Sequence, residues 1–195
     1  SGAARSVASW RVLLLSNGEQ PLSAIMAKAG KKVNAGQEVR LVHIDAEAGA
    51  GLGAFESIHN AVSPGEFAKL LDDLASKHHG AVGLEWLRQV VVNHQALPAV
   101  VADSIQKFCA AVVPAGASGQ VARVARRFGL VAVAGELATS YGLTGWTEGE
   151  AVGAARKCFA SWLESFGGIG DREEAAILAQ VRAFFEAHGS ARFEA

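Results

Sequence analysis

Four ionised side chains in one stretch, Arg123, Arg126, Arg127 and Glu136, are the residues of this 195-residue chain whose types and spacing could do chemistry. They lie in VARVARRFGLVAVAGELATSYGLTGWTEGEA, from Val121 to Ala151. On a helix the three arginines fall within an arc of about 100 degrees, opposite Val121, Val124, Ala125 and Phe128. A fixed guanidinium on such a patch can hold a phosphate and stabilise charge developing on it, with Glu136 orienting it. The structural alternative is a buried ion pair between Glu136 and Arg123 that fixes helix register, the remaining arginines forming a solvated rim. Periodicity leaves both readings open. From Gly129 to Ala138 every side is apolar or small except at Glu136, so this half is expected inside a bundle. Glu136 shares its face with Ala125, Gly129 and Ala132, small residues that let a neighbouring helix approach closely while the carboxylate needs a partner.

Other chemistry is poorly supported. Cys109 and Cys158 stand in apolar helical stretches without a CxxC pair or a Cys/His metal spacing, and read as reduced core residues of a cytoplasmic protein. His78 and His79 sit at a helix end without the i, i+4 partner of a metal pair, so capping is the better reading. Nothing places His43, His59 or His94 beside a nucleophile and an acid. The glycine-rich AEAGAGLGAF lacks the Lys-Ser/Thr of a phosphate loop, and Gly30-Lys31 lacks the first glycine of that motif, Ile25 standing in its place. No cofactor is expected to be held by these residues alone.

Composition narrows the rest. With 18 basic and 19 acidic residues there is no global positive field for nucleic acid or an anionic membrane. Half the residues are apolar, enough for a real core. No apolar run reaches a membrane-spanning length, and no signal pattern opens the chain. The first residues are small and polar and begin with Ser1 rather than methionine, which suggests a trimmed chain.

The elements that must position these residues change character along the chain. WRVLLLSNGE is expected to hold a strand buried on both faces, PLSAIMAKAG a short helix, and Glu38 to Ala46 a second strand. Two strands make no complete sheet, so this part resembles the tail of a larger α/β unit. From Ser63 the period becomes helical. Ser63-Pro64-Gly65-Glu66 and Thr147-Glu148-Gly149-Glu150 read as capping boxes. The first opens a helix with Phe67, Leu70, Leu71 and Leu74 on one face. The second opens one that should bury Val152, Ala155, Phe159, Trp162, Leu163 and Phe166 and stop at Gly167-Gly168. Two more helices run through Leu84, Leu87 and Val91 and from about Leu97 to Val113. A last helix has Ile177, Leu178, Val181, Phe184 and Phe185 on its apolar face. The expected fold is therefore mainly α with a small α/β part, residues 1–60 forming the α/β segment and 61–195 an all-helical subdomain.

Several separated segments, WRVLLLSNGE, GQEVRLVHID, RVARRFGLVAVAGELATSYGLTGW, EGEAVGAARKCFASWL and VRAFFEAHGSARF, together resemble the C-terminal part of the bacterial domain-of-unknown-function 927 family. These are helicase-like proteins of mobile elements. The resemblance implies a partial RecA-like unit whose phosphate loop and metal carboxylate lie upstream, so that ATP and Mg would be bound by the parent protein and not by this part alone. It implies DNA as a partner through that parent, a homo-oligomeric assembly and no membrane. It further implies that Ser16, Asn17 and Glu19 follow a sensor strand, with Asn17 where the family has threonine. Arg40 then resembles an arginine that reaches a neighbouring subunit's nucleotide, and Arg126 or Arg127 a lid-domain sensor. A noncatalytic helical module that binds a partner protein or DNA in a replication or transfer complex is the other function considered.

Overall fold

The computed structural model describes residues 9, 12–31, 37, 39–170 and 172–192, with side chains in the last helix described for 177–188. The chain divides into two compact units, Ser1–Val33 and Asn34–Ala195, taken separately below.

In the first unit the described structure is one short helix, α1 (Leu22–Lys28), entered through Pro21 and left through Ala29. The described residues before it, 12–20, form no helix or strand. Val12, Leu13, Leu14 and Leu15 are between 69% and 100% exposed, so the expected strand is not seen among the described residues, Trp10 and Arg11 lying outside them. A strand is stable only when neighbours take up its backbone hydrogen bonds, and among the described residues none does.

The second unit is helical: α2 (Pro64–Lys77), α3 (Ala81–Val92), α4 (Leu97–Val112), α5 (Gly119–Ser140), α6 (Glu150–Phe166) and α7 (Arg172–Arg192). The second expected strand is also not seen. The N–H groups of Arg40 and Leu41 both turn back to the Gln37 carbonyl, each at 3.0 Å, and Val39 is buried in the helical core instead of in a sheet. The molecule is thus mainly helical, and the small α/β part is absent among the described residues.

Local chemistry explains where the helices start and stop. Ser63 Oγ accepts the Glu66 N–H at 3.2 Å, while the Glu66 carboxylate reaches back to the Val62 N–H, with Pro64 in the first turn of α2. Ser118 caps α5 through Val121 N–H. Gly167 ends α6 at φ 91°, and Gly168 N–H bonds the Leu163 carbonyl at 3.1 Å.

The core is a three-helix arrangement in which α4 and α6 both lean on α5 and touch each other little. Val121, Val124, Ala125, Phe128, Ala132 and Val133 of α5 meet Phe108 of α4 and Ala155, Phe159, Trp162 and Phe166 of α6. An aromatic ladder runs through it, with ring centroids 5.8 Å apart for Phe128 and Phe159, 5.7 Å for Phe159 and Trp162, and 4.7 Å for Trp162 and Phe166. Each such side chain contributes about 1.5–3 kcal/mol by leaving water. Close approach depends on two glycines. A Cβ at Gly129 would stand 3.2 Å from the Phe108 ring, and one at Gly135 only 2.5 Å from Ala151 Cβ.

α4 and α6 are the main helices packed on α5, and its second half is not enclosed on every side as expected: Leu130 and Val131 are 43% and 50% exposed. On the predicted faces of α2, α3 and α7, Phe67 packs on Phe55 and His59 with ring centroids 4.9 and 5.5 Å away, while Leu70, Leu71, Leu74, Leu84, Leu87, Val91, Phe184 and Phe185 remain exposed.

Candidate helix-docking groove

The residues singled out for chemistry are placed as follows. Ser16, Asn17 and Glu19 lie in the first unit and are exposed. Arg40 is exposed at the turn after Val39. On α5 the arginines do form one patch opposite Val121, Val124, Ala125 and Phe128, which are buried. They are not equivalent. Arg123 Nε donates to the Gly119 carbonyl of its own helix at 3.1 Å. Arg127 is half-buried and its Nη1 donates to the Val39 carbonyl, fastening the segment before Arg40 to α5. Arg126 is exposed, and its charge is felt by Cys109 on α4, where it partly offsets the burial that pushes the thiol pKa up.

Glu136 answers the question posed by its burial in an unexpected way. Its Oε2 accepts the Gly149 N–H at 2.9 Å and its Oε1 the Val152 N–H at 3.0 Å. The carboxylate of α5 is therefore the N-terminal cap of α6, satisfying two donors that a helix start leaves open and meeting its partial positive charge. The proposed ion pair with Arg123 is ruled out by distance, since the two residues lie near opposite ends of one helix, about 20 Å apart along its axis. The Thr147–Glu150 capping box is only half formed: the Glu150 carboxylate takes the Thr147 N–H at 2.9 Å, but α6 begins at Glu150. Thr147 stands too early to cap it, and Glu136 from the neighbouring helix does so.

Where α4 and α6 diverge over the C-terminal half of α5 they leave an open groove of about 600 Å³. Ala132, Val133, Glu136, Leu137, Thr139 and Ser140 of α5 form its floor. One wall is Val100, Ser104, Lys107 and Phe108 of α4, the other Glu148, Val152 and Arg156 at the start of α6. The volume is in the range of about 300–1,000 Å³ usual for ligand sites. The floor mixes the apolar Ala132, Val133 and Leu137 with Glu136, Thr139 and Ser140, and the walls carry two cations, Lys107 and Arg156, and the carboxylate of Glu148. Phe108 packs at Gly129, and Phe159 packs on Phe128 while Ala151 packs at Gly135. Both flanking helices therefore run antiparallel to α5, and Lys107 and Arg156 come to the Ala132 end of the groove on opposite sides. Lys107 also pairs with Asp103 at 2.7 Å, both side chains being largely exposed.

Ser104, Lys107 and Arg156 were not singled out by the sequence. The available signal was the i, i+4 spacing from Val100 to Ser104 to Phe108 and from Val152 to Arg156, which puts these residues on one face of each helix. Among the described residues no cluster of three His, Cys, Asp or Glu side chains could hold a metal ion, and no helix is long and apolar enough to cross a membrane. Comparison with protein-family models, with curated proteins and with solved structures found no match.

Proposed function

We propose that the helical unit is a noncatalytic interaction module whose α4–α5–α6 groove receives an amphipathic helix. The observation that carries this reading is the groove's lining, in which Ala132, Val133 and Leu137 of α5 join Val100, Phe108 and Val152 in an apolar strip, between walls bearing Lys107 and Arg156 as well as Glu148. An apolar stripe laid into such a floor leaves water, while acidic residues at its edges meet the two cations, the pattern of helix-in-groove recognition. Glu136 and Arg127 support it indirectly: both are engaged with backbone groups, which favours structural roles for them over a nucleotide site.

A second reading is favoured by Val12–Leu15, four exposed apolar residues in a row followed by the polar Ser16 and Asn17. We propose that this run is a sensor strand completed by a RecA-like sheet in a larger helicase-like, ATP-dependent DNA-processing protein of the kind the sequence resembles. ATP and Mg would then be held by that larger protein, with Arg40 and Arg126 reaching the nucleotide. The two readings are compatible, since an interaction module can be part of such a protein.

The groove reading is tested with a fluorescent amphipathic peptide carrying leucines at i, i+3, i+4 and i+7 and flanking aspartates, against a scrambled peptide of the same composition. The amphipathic peptide should bind, and Ser104→Trp, which projects an indole into the groove from α4, should weaken it by about tenfold or more, roughly 1.4 kcal/mol. Equal binding of the scrambled peptide, or indifference to Ser104→Trp, would overturn the reading.

A further inference from the structure

We infer that the exposed arginines around the N-terminal half of α5, Arg123 and Arg126 with the neighbouring Arg40, form a surface for the phosphate backbone of a nucleic acid, held without regard to sequence. The inference is independent of the groove, and it gives Arg40 and Arg126 a different ligand from the nucleotide of the second reading.

Arg123, Arg126 and Arg127 stand within five residues of each other in the first half of α5, on one face. That is an unfavourable place for them. The N-terminal end of a helix carries partial positive charge that disfavours cations, and the first turn of α5 holds no acidic residue. Like charges at i, i+3 and i, i+4 also repel. Glu136, the one acidic residue of α5, lies about two and a half turns beyond Arg127 and is engaged by the start of α6. Among the described residues none of the four arginines makes an ion pair; the pairs that occur, Arg88 with Glu85 and Lys107 with Asp103, lie on α3 and α4. An arrangement that is repulsive in the free chain becomes favourable once anions are laid across it.

Two contacts shape the patch. Arg123 Nε donates to the Gly119 carbonyl at 3.1 Å, while its terminal nitrogens make no hydrogen bond among the described residues. Arg127 Nη1 donates to the Val39 carbonyl, which holds the next residue, Arg40, beside α5; Arg127 is thus a positioning residue. On the other flank Arg126 acts on Cys109 of α4. The cations form a band across α5 from α4 to the turn at Arg40, with Arg40, Arg123 and Arg126 exposed.

A guanidinium fork matches phosphate oxygens, and a band of them matches a row of phosphates better than a single one. A duplex supplies a negative charge about every 1.7 Å of its axis, enough for three arginines at once. An anionic membrane would need an apolar face beside the cations, and that face of α5 is buried in the core. With 18 basic and 19 acidic residues the rest of the chain adds no general attraction, so binding should be weak and salt-sensitive.

Fluorescence anisotropy of the whole chain with a labelled, mixed-sequence DNA duplex tests this. Three phosphate contacts give a log–log salt slope of about −2.7, so affinity should fall about fortyfold between about 50 and 200 mM salt. Arg123→Gln/Arg126→Gln should weaken binding at least about tenfold at low salt and reduce the slope by about 2, and Arg40→Gln should reduce it by about 1. Arg127→Ala should match Arg40→Gln, Arg126→Lys should keep the slope, and Lys69→Gln, the same charge change at an exposed position on α2, should do nothing. Far-UV circular dichroism verifies that each variant is folded. No duplex binding at low salt, a slope unmoved by the double variant, or an equal loss from Lys69→Gln overturns the inference. So does displacement of the duplex by MgATP, polyglutamate or phosphatidylserine vesicles as readily as by unlabelled duplex at equal charge, which would give the patch to a nucleotide, an acidic peptide or a membrane. If the duplex fails while the amphipathic peptide binds the groove, only this inference falls.

Discussion

Glu136 caps a helix it does not belong to: its carboxylate accepts the Gly149 N–H at 2.9 Å, at the N-cap of α6, and the Val152 N–H one turn further on. This contact fixes α6 against α5 at the point where the groove begins, so the residue expected to orient an arginine or to pair with one helps set the shape of the groove. Gly149 has φ 90° and no side chain to cap with, which is why the acceptor comes from a neighbouring helix. Replacing Glu136 by alanine should destabilise the chain by about 1–3 kcal/mol, since two donors lose a charged acceptor. Glu136→Gln, which keeps one acceptor oxygen, should cost less. Urea denaturation gives the order, and equal stability of all three chains would contradict the capping role.

A pair of glycines tests the packing beside that cap. Gly135→Ala places a Cβ 2.5 Å from Ala151 Cβ, so α6 must move, at a cost of about 1–3 kcal/mol. Gly153→Ala meets nothing within 4 Å and lies inside α6, so it should stabilise by about 0.5–1 kcal/mol through helix propensity alone. Thermal denaturation of the two variants should move in opposite directions.

The arginines of α5 should separate by experiment as they do by contact. Arg127→Ala frees the Val39 carbonyl and should speed amide hydrogen exchange around Leu41 and Val42. Arg126→Ala, at an exposed position, should leave that exchange unchanged. An equal effect of both replacements would contradict the anchoring role of Arg127.

Cys109 offers a pH test. Burial raises its thiol pKa, with the Arg126 charge opposing but not cancelling the effect. The folded chain therefore holds the neutral thiol to higher pH than an unfolded one does. Alkylation of Cys109 should be slower than that of a free thiol peptide at neutral pH, and its rate should rise only as the solution passes above the ordinary thiol range. Arg126→Ala removes the opposing charge and should shift the rate profile further upward in pH. A profile matching the free peptide would contradict this.

What could be read from the sequence follows from periodicity. The split of α5 between arginines and core, and the α6 face of Ala155, Phe159, Trp162 and Phe166, are one-dimensional patterns that survive folding unchanged. Gly167-Gly168 was legible as a stop for the same local reason. The partner of Glu136 was not, because it accepts from backbone N–H groups beyond a turn, and backbone donors leave no mark in residue types. Val12–Leu15 misled because an apolar run signals a buried strand only when neighbours exist to bury it. The faces of α2, α3 and α7 were found on the expected residues, but spacing says that a helix has an apolar side and not what covers it. The groove depends on the divergence of α4 from α6, a tertiary feature that Lys107 and Arg156 carry only once both helices are placed.

The most direct test of the groove as a docking site is an amide chemical-shift map of the ¹⁵N-labelled chain titrated with the amphipathic peptide. The account predicts shifts concentrated at Ser104, Lys107, Val133, Leu137, Val152 and Arg156, saturating with one peptide per groove and lost in Ser104→Trp. Shifts spread over the surface, or confined to α2, α3 or α7 with the α4–α5–α6 residues unmoved, would contradict it.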